Sequence, residues 1–171
     1  MSERFKWRIR YYGNDLSYIR LEKKEKIEGR CHKKSCKITV DEYNKTVSGD
    51  VTDLVFEAEK DLIKELAVDI LIHNYKPKVI IDYERIAYVE EITNVRVTFD
   101  MKISASYELE NFLDGDYQSF YVLPSGLNVL EVKFDGILPS HIRNIVESYS
   151  LKQGSFSKYY YGRRILDCYM R

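Results

Sequence analysis

The stretch FKWRIRYYGNDLSYIRLEKKEK, Phe5 to Lys26, holds two segments in which charge and hydrophobicity alternate residue by residue. Lys6, Arg8 and Arg10 alternate with Trp7, Ile9 and Tyr11. After a turn, Arg20, Glu22 and Lys24 alternate with Ile19 and Leu21. A period of two places successive side chains on opposite faces of a strand, so the stretch reads as an antiparallel hairpin with one apolar and one charged face. In an ordinary half-buried sheet the apolar face packs inward and the charged face meets water. What the charged face meets here is the question the rest of the chain has to answer.

Outward from the hairpin, a third strand is expected at Arg30–Ile38, with YGND and IEG supplying the turns between the three. The period then changes. Thr39 followed by Glu42 forms a capping-box pattern for a short helix ending near Gly49. Asp50 can cap a longer helix in which Val51, Leu54, Val55, Ala58, Leu62, Ile63, Leu66, Ala67, Ile70 and Leu71 make a broad stripe, closed by Lys76-Pro77. Strands resume with KVIIDYERIAYV and NVRVTFDMKIS. A polar loop from Glu108 to Gln118 leads to SFYVL, NVLEVKFD and a last helix beginning near Pro139, and GSFSKYYYG follows. The order predicts an α+β chain: an antiparallel meander interrupted by helices, with no internal domain boundary across residues 1–171.

The bulk composition narrows the function classes. Twenty-seven basic residues balance twenty-seven acidic ones, so no global field points to nucleic acid and an anion site has to come from local clustering. No apolar run is long enough to span a bilayer, and MSERFKWR lacks the apolar centre of a signal peptide, so a cytoplasmic location is expected. The three cysteines are expected to be reduced thiols. CHKKSC suggests a metal site, but Cys31 and Cys36 are separated by an odd number of positions and point to opposite faces of a strand.

Charges recur at period two on the later strands. Arg96, Thr98, Asp100 and Lys102 share a face, as do Glu131 and Lys133, and as do Tyr83 and Arg85. On any single strand a solvated face explains this. Arginine-rich faces on several strands favour another account, because guanidinium forks suit phosphate oxygens. Closing such a sheet would give a polar tunnel whose interior needs an anionic ligand, a metal or water.

In order and spacing, FKWRIRYYG, IRLEKKEK, PKVIIDYERIAYV, NVRVTFDMKI, VLEVKFDGILP and FSKYYYGRRI resemble the VTC (vacuolar transporter chaperone) polyphosphate polymerase domain of the triphosphate tunnel metalloenzyme superfamily. The resemblance runs from about Phe5 to Ile165. It implies an antiparallel β-tunnel with flanking helices that holds ATP or polyphosphate and transfers the terminal phosphoryl group of ATP. The implied cofactor is Mn²⁺ or Mg²⁺. It also implies that Arg8, Arg10, Lys24, Arg85 and Arg96 act on the transferred phosphates, and that Glu22, Lys33, Lys133 and Lys158 bind the phosphate chain or its metal. Glu131 of LEVK is implied as the metal-binding carboxylate.

Ser155 stands where some relatives carry a second lysine ahead of the FSK lysine. The family's first tunnel strands should precede Phe5, where this chain has four residues, so the resemblance implies a tunnel incomplete at its N-terminal side. It admits a membrane-protein partner for the polymer, and an open sheet edge admits self-association. Two rivals stand beside the polymerase reading. One is a non-catalytic module binding polyphosphate or another polyanion. The other is a tripolyphosphatase of the same superfamily, disfavoured because no acidic ExExK first strand is present.

Overall fold

The computed structural model describes residues 4–169, except 14, 29, 150 and 152. It divides into two compact units, residues 1–77 and 78–171. Among the described residues each carries one antiparallel sheet, and neither sheet closes into a barrel. The class is α+β, with five α-helices among the described residues. Among the described residues no helix is long and apolar enough to cross a membrane.

The first unit opens with β1 (Arg4–Tyr12), β2 (Asp15–Ile27) and β3 (Arg30–Ile38), hydrogen-bonded in that order. The strand reading of the opening stretch holds. Asn14 and Gly29, which belong to the two expected turns, lie outside the described residues. α1 (Val40–Ser48) follows with the expected capping box. The Thr39 side chain accepts from the Glu42 N–H at 3.1 Å, and Glu42 accepts from the Thr39 N–H at 2.7 Å. Gly49 ends the helix at φ +83°, a conformation that glycine adopts without steric cost.

The long helix expected from Asp50 is instead two, α2 (Thr52–Glu57) and α3 (Asp61–His73), with Val51 rather than Asp50 at the first N-cap. The apolar stripe accounts for the break. Positions 51, 54, 55 and 58 are in phase with one another, as are 62, 63, 66, 67, 70 and 71. The second group is rotated from the first by about 100°, one residue's worth of helical turn. A continuous helix could not turn both groups to the same core. Extended backbone at Ala58 and Lys60 restores the phase, and Val51, Leu54, Ala58, Leu62, Ile63, Leu66 and Ala67 are all buried.

α3 packs on β2 and β3, against the face that carries Ile19, Leu21 and Ile38. Trp7 Nε1 on that face donates to Asp69 Oδ2 of α3 at 2.8 Å. Lys23, buried on the same face, lies 4.5 Å from the Phe5 ring centroid and 5.3 Å from that of Trp7. Its ammonium pairs with Glu25 at 2.7 Å and with Glu65 at 2.5 Å. With the helices on this side, the opposite side of the sheet is the charged one.

The second unit contains β4 (Ile80–Glu90), β5 (Val95–Ser106), β6 (Phe120–Tyr121) and β7 (Val129–Lys133). β5 pairs with all three others. The strand expected at SFYVL shrinks to two residues. Pro124, which cannot donate to a ladder, and the turn closed by Leu127 N–H to Pro124 O follow immediately. α4 (Ser140–Glu147) begins next to Pro139 as expected, but it is not the last helix, since α5 (Lys158–Tyr169) follows it.

β5 carries a bulge where Lys102 adopts φ +50°, opposite the step from Asp82 to Glu84. Past it, Ala105 lies opposite Ile81 on the face that also carries Asp100 opposite Arg85. α5 packs there through Gly162, where a Cβ would run into Ile81 Cδ1 and come within 3.2 Å of Ala105 Cβ. Gly162→Val is therefore expected to destabilise the protein by about 1–3 kcal/mol through overpacking. A thermal melt indistinguishable from wild type would show that the helix can lift away at no cost.

Candidate functional site: two cation arrays on buried carboxylates

The register of the first sheet stacks its charges in rows across three strands. Lys6, Lys24 and Lys33 are directly opposed in one row, and Arg10, Arg20 and Lys37 in another. Between them lies the row Arg8, Glu22, Ser35. Seven cations thus surround one carboxylate, although like charges placed directly opposite one another destabilise a sheet.

That carboxylate is enclosed: the Glu22 side chain is 0% exposed. Oε2 accepts from Arg8 Nε at 3.0 Å and also from Arg8 Nη2. Oε1 lies 2.9 Å from Arg10 Nη2 and 2.6 Å from Lys33 Nζ. Contacts to Oε1 are ionic rather than directional, since it makes no well-aligned hydrogen bond. Burial pushes the Glu22 carboxyl up, but the Lys33 ammonium, the Arg8 guanidinium and the nearby Arg10 charge pull it down harder, to about 2. Glu22 is ionised throughout the physiological range and serves as the internal counterion of the array. Arg20, in the adjoining row, donates to Ser35 Oγ through Nη2.

The second sheet repeats the device. Asp100, on central strand β5, is 0% exposed. It accepts from Arg85 Nε at 2.6 Å and Arg85 Nη2 at 2.8 Å, a side-on fork. Lys158 Nζ at the start of α5 reaches its Oδ2 at 2.5 Å. Tyr83 lies beneath both cations, 5.2 Å from Arg85 Cζ and 4.8 Å from Lys158 Nζ. Burial raises the Asp100 carboxyl, yet Arg85 and Lys158 more than offset this and hold it below the usual carboxylate range. The same hydrogen bonds, donated to Asp100, raise the Arg85 guanidinium further.

Along the same face the next rows are Ala87, Thr98, Glu131 and then Val89, Arg96, Lys133. Glu131 is 40% exposed and pairs with Lys133 at 3.1 Å. Arg96 is exposed at the rim of a groove shared with Asn94, Lys133 and Asp135. Among the described residues no carboxylate pairs with Arg96, and no three His, Cys, Asp or Glu side chains converge as a metal site. Glu131 therefore suits only a cation that takes most of its ligands from phosphate oxygens and water, which is the habit of Mg²⁺.

The structure gathers Arg8, Arg10, Glu22 and Lys33 into one cluster with Lys24 in the neighbouring row. Arg85 and Lys158 form a second cluster, and Arg96, Glu131 and Lys133 lie on adjacent rows of the same face as that second cluster. Sequence reasoning assigned no role to Asp100, Tyr83 or Ser35. A carboxylate alone at the charged phase of a basic strand was the available signal for Asp100. Cys31 and Cys36 are free and fall on opposite faces of β3, paired with Lys26 and Leu21 respectively.

Two antiparallel sheets, each with cations arrayed around an enclosed carboxylate, define the protein as α+β with one charged face on each sheet. Residues 1–167 match the family model of the VTC domain, and the chain belongs to that family. The membership points to a polyphosphate-related function. No curated protein and no solved structure matches the chain.

Proposed function

We propose that the chain binds ATP and inorganic polyphosphate through its cationic sheet faces. With a divalent cation, Mn²⁺ or Mg²⁺, it moves the terminal phosphoryl group of ATP onto a growing polyphosphate. The observation that carries the reading is the pair of like-charge rows, Lys6–Lys24–Lys33 and Arg10–Arg20–Lys37. Directly opposed cations cost a sheet stability, and a chain of phosphates is the ligand chemistry that turns that cost into binding. A cytoplasmic setting, where ATP is at hand, belongs to the same reading.

Phosphoryl transfer asks for charge neutralisation on the equatorial oxygens and for alignment of attacker and leaving group, and it needs no protein nucleophile. Within the first unit Arg8, Arg10 and Lys33 supply fixed positive charge; within the second, taken by itself, Arg85 and Arg96 on the sheet and Lys158 at the start of α5 do so. Glu131 would hold the metal, which when bound adds charge neutralisation at bridging phosphate oxygens. Lys133, 3.1 Å from Glu131, pairs with that carboxylate and would give up the contact when a cation takes its place.

The test is incubation of the purified protein with ATP and Mn²⁺, followed by resolution of polyphosphate by length. Long polymer is the outcome that supports the polymerase reading. Tripolyphosphate binding without polymer would favour the binding module, and phosphate release from tripolyphosphate the hydrolase. Glu131→Gln keeps the side chain's shape and removes its charge. It is expected to abolish metal-dependent turnover while metal-free tripolyphosphate binding stays level or tightens. Normal polymer formation with normal Mn²⁺ dependence in this variant would refute the metal role.

A further inference from the structure

We propose that Asp100 is a positioning residue, holding Arg85 and Lys158 as one preformed array before any phosphate arrives. The inference rests on the reading above, that these two cations meet phosphate. Three elements converge on this carboxylate: Arg85 from β4, Asp100 itself on β5 and Lys158 from α5. Asp100 takes the Nε and Nη2 edge of the guanidinium at 2.6 and 2.8 Å, so it does not occupy the Nη1 end. Its Oδ2 holds Lys158 at 2.5 Å, and the Tyr83 ring supports both heads.

Lys158 reaches that far because Gly162, four residues along the same side of α5, lets the helix lie against Ile81 and Ala105. Arginine and lysine side chains lose much rotamer freedom when pinned. Asp100 takes that loss in the free protein, and an incoming phosphate is spared it. As bare charge, a buried carboxylate would oppose anion binding. Orientation and charge therefore predict opposite signs when Asp100 is altered.

Calorimetric titration with tripolyphosphate separates the two, applied to wild type, Asp100→Asn and Asp100→Glu, with a thermal melt of each. Positioning predicts that both variants bind about tenfold more weakly: Asn loses the charge, and Glu keeps it but moves it. The Asn loss should vanish when Arg85→Ala and Lys158→Ala are already present. Asp100→Asn binding at or above wild-type affinity, with Asp100→Glu unchanged, would overturn the inference and leave the polyphosphate reading standing.

If the variants do not fold, the wild type still decides. The Arg85 Nε–H resonance should be sharp and slow to exchange with water before ligand is added. A resonance that appears only with tripolyphosphate would overturn positioning. Wild-type protein that does not bind tripolyphosphate would overturn the polyphosphate reading itself, and this inference with it.

Discussion

Glu22→Gln is expected to lower the protein's stability by about 3 kcal/mol near neutral pH, the free-energy equivalent of moving a glutamate from its ordinary 4.5 to about 2. The glutamine keeps the side chain's shape but leaves Arg8, Arg10 and Lys33 facing one another with no anion among them. The pH dependence carries the sign. A carboxyl depressed in the folded state contributes its full stability above pH 4.5 and loses it as pH falls through about 2. Wild type should therefore weaken over that interval, with Asp100 adding a loss in the same direction. Glu22→Gln should start lower and slope less. Urea unfolding from pH 2 to 7, followed by the fluorescence of Trp7, the chain's single tryptophan, reads the first unit directly. A variant with wild-type stability and an unaltered acid limb would show that the cations find another counterion.

Arg8→Ala and Arg96→Ala are each expected to weaken tripolyphosphate binding by about 1.5–3 kcal/mol, roughly tenfold to a little over a hundredfold, the usual size of a lost hydrogen bond to a charged group. Their effects on folding should differ. Arg96 is exposed and carries no ion pair among the described residues, so its removal should leave the melting temperature alone. Arg8 shares Glu22 with Arg10 and Lys33, so its removal also strips one partner from an enclosed carboxylate and should lower the melt. Calorimetry with tripolyphosphate and a melt on each variant check both halves. Unchanged affinity in both would exclude the charged faces as the phosphate site.

Much of this was legible because local periodicity is a local property. Alternation of Lys6, Arg8 and Arg10 with Trp7 and Ile9 specified the strand and which face would be charged. Thr39 and Glu42 marked the start of α1, and Gly49 its end. The break between α2 and α3 was also written in the chain, in the phase slip after Ala58. A single broad stripe conceals that slip unless the angles are followed residue by residue.

The sequence by itself determined which residues would carry charge, on which strands and at which phase, because side-chain direction follows from backbone period alone. Only the tertiary structure decided which charges are enclosed and which are left over. Glu22 and Asp100 look like any acidic residue at a charged phase. They become counterions because register sets Arg8 opposite Glu22, Lys33 one row away and Arg85 opposite Asp100. α5 adds Lys158 to Asp100 from 58 residues further along the chain. Burial and pairing depend on what lies across the sheet, and the order of residues along one strand does not hold that information.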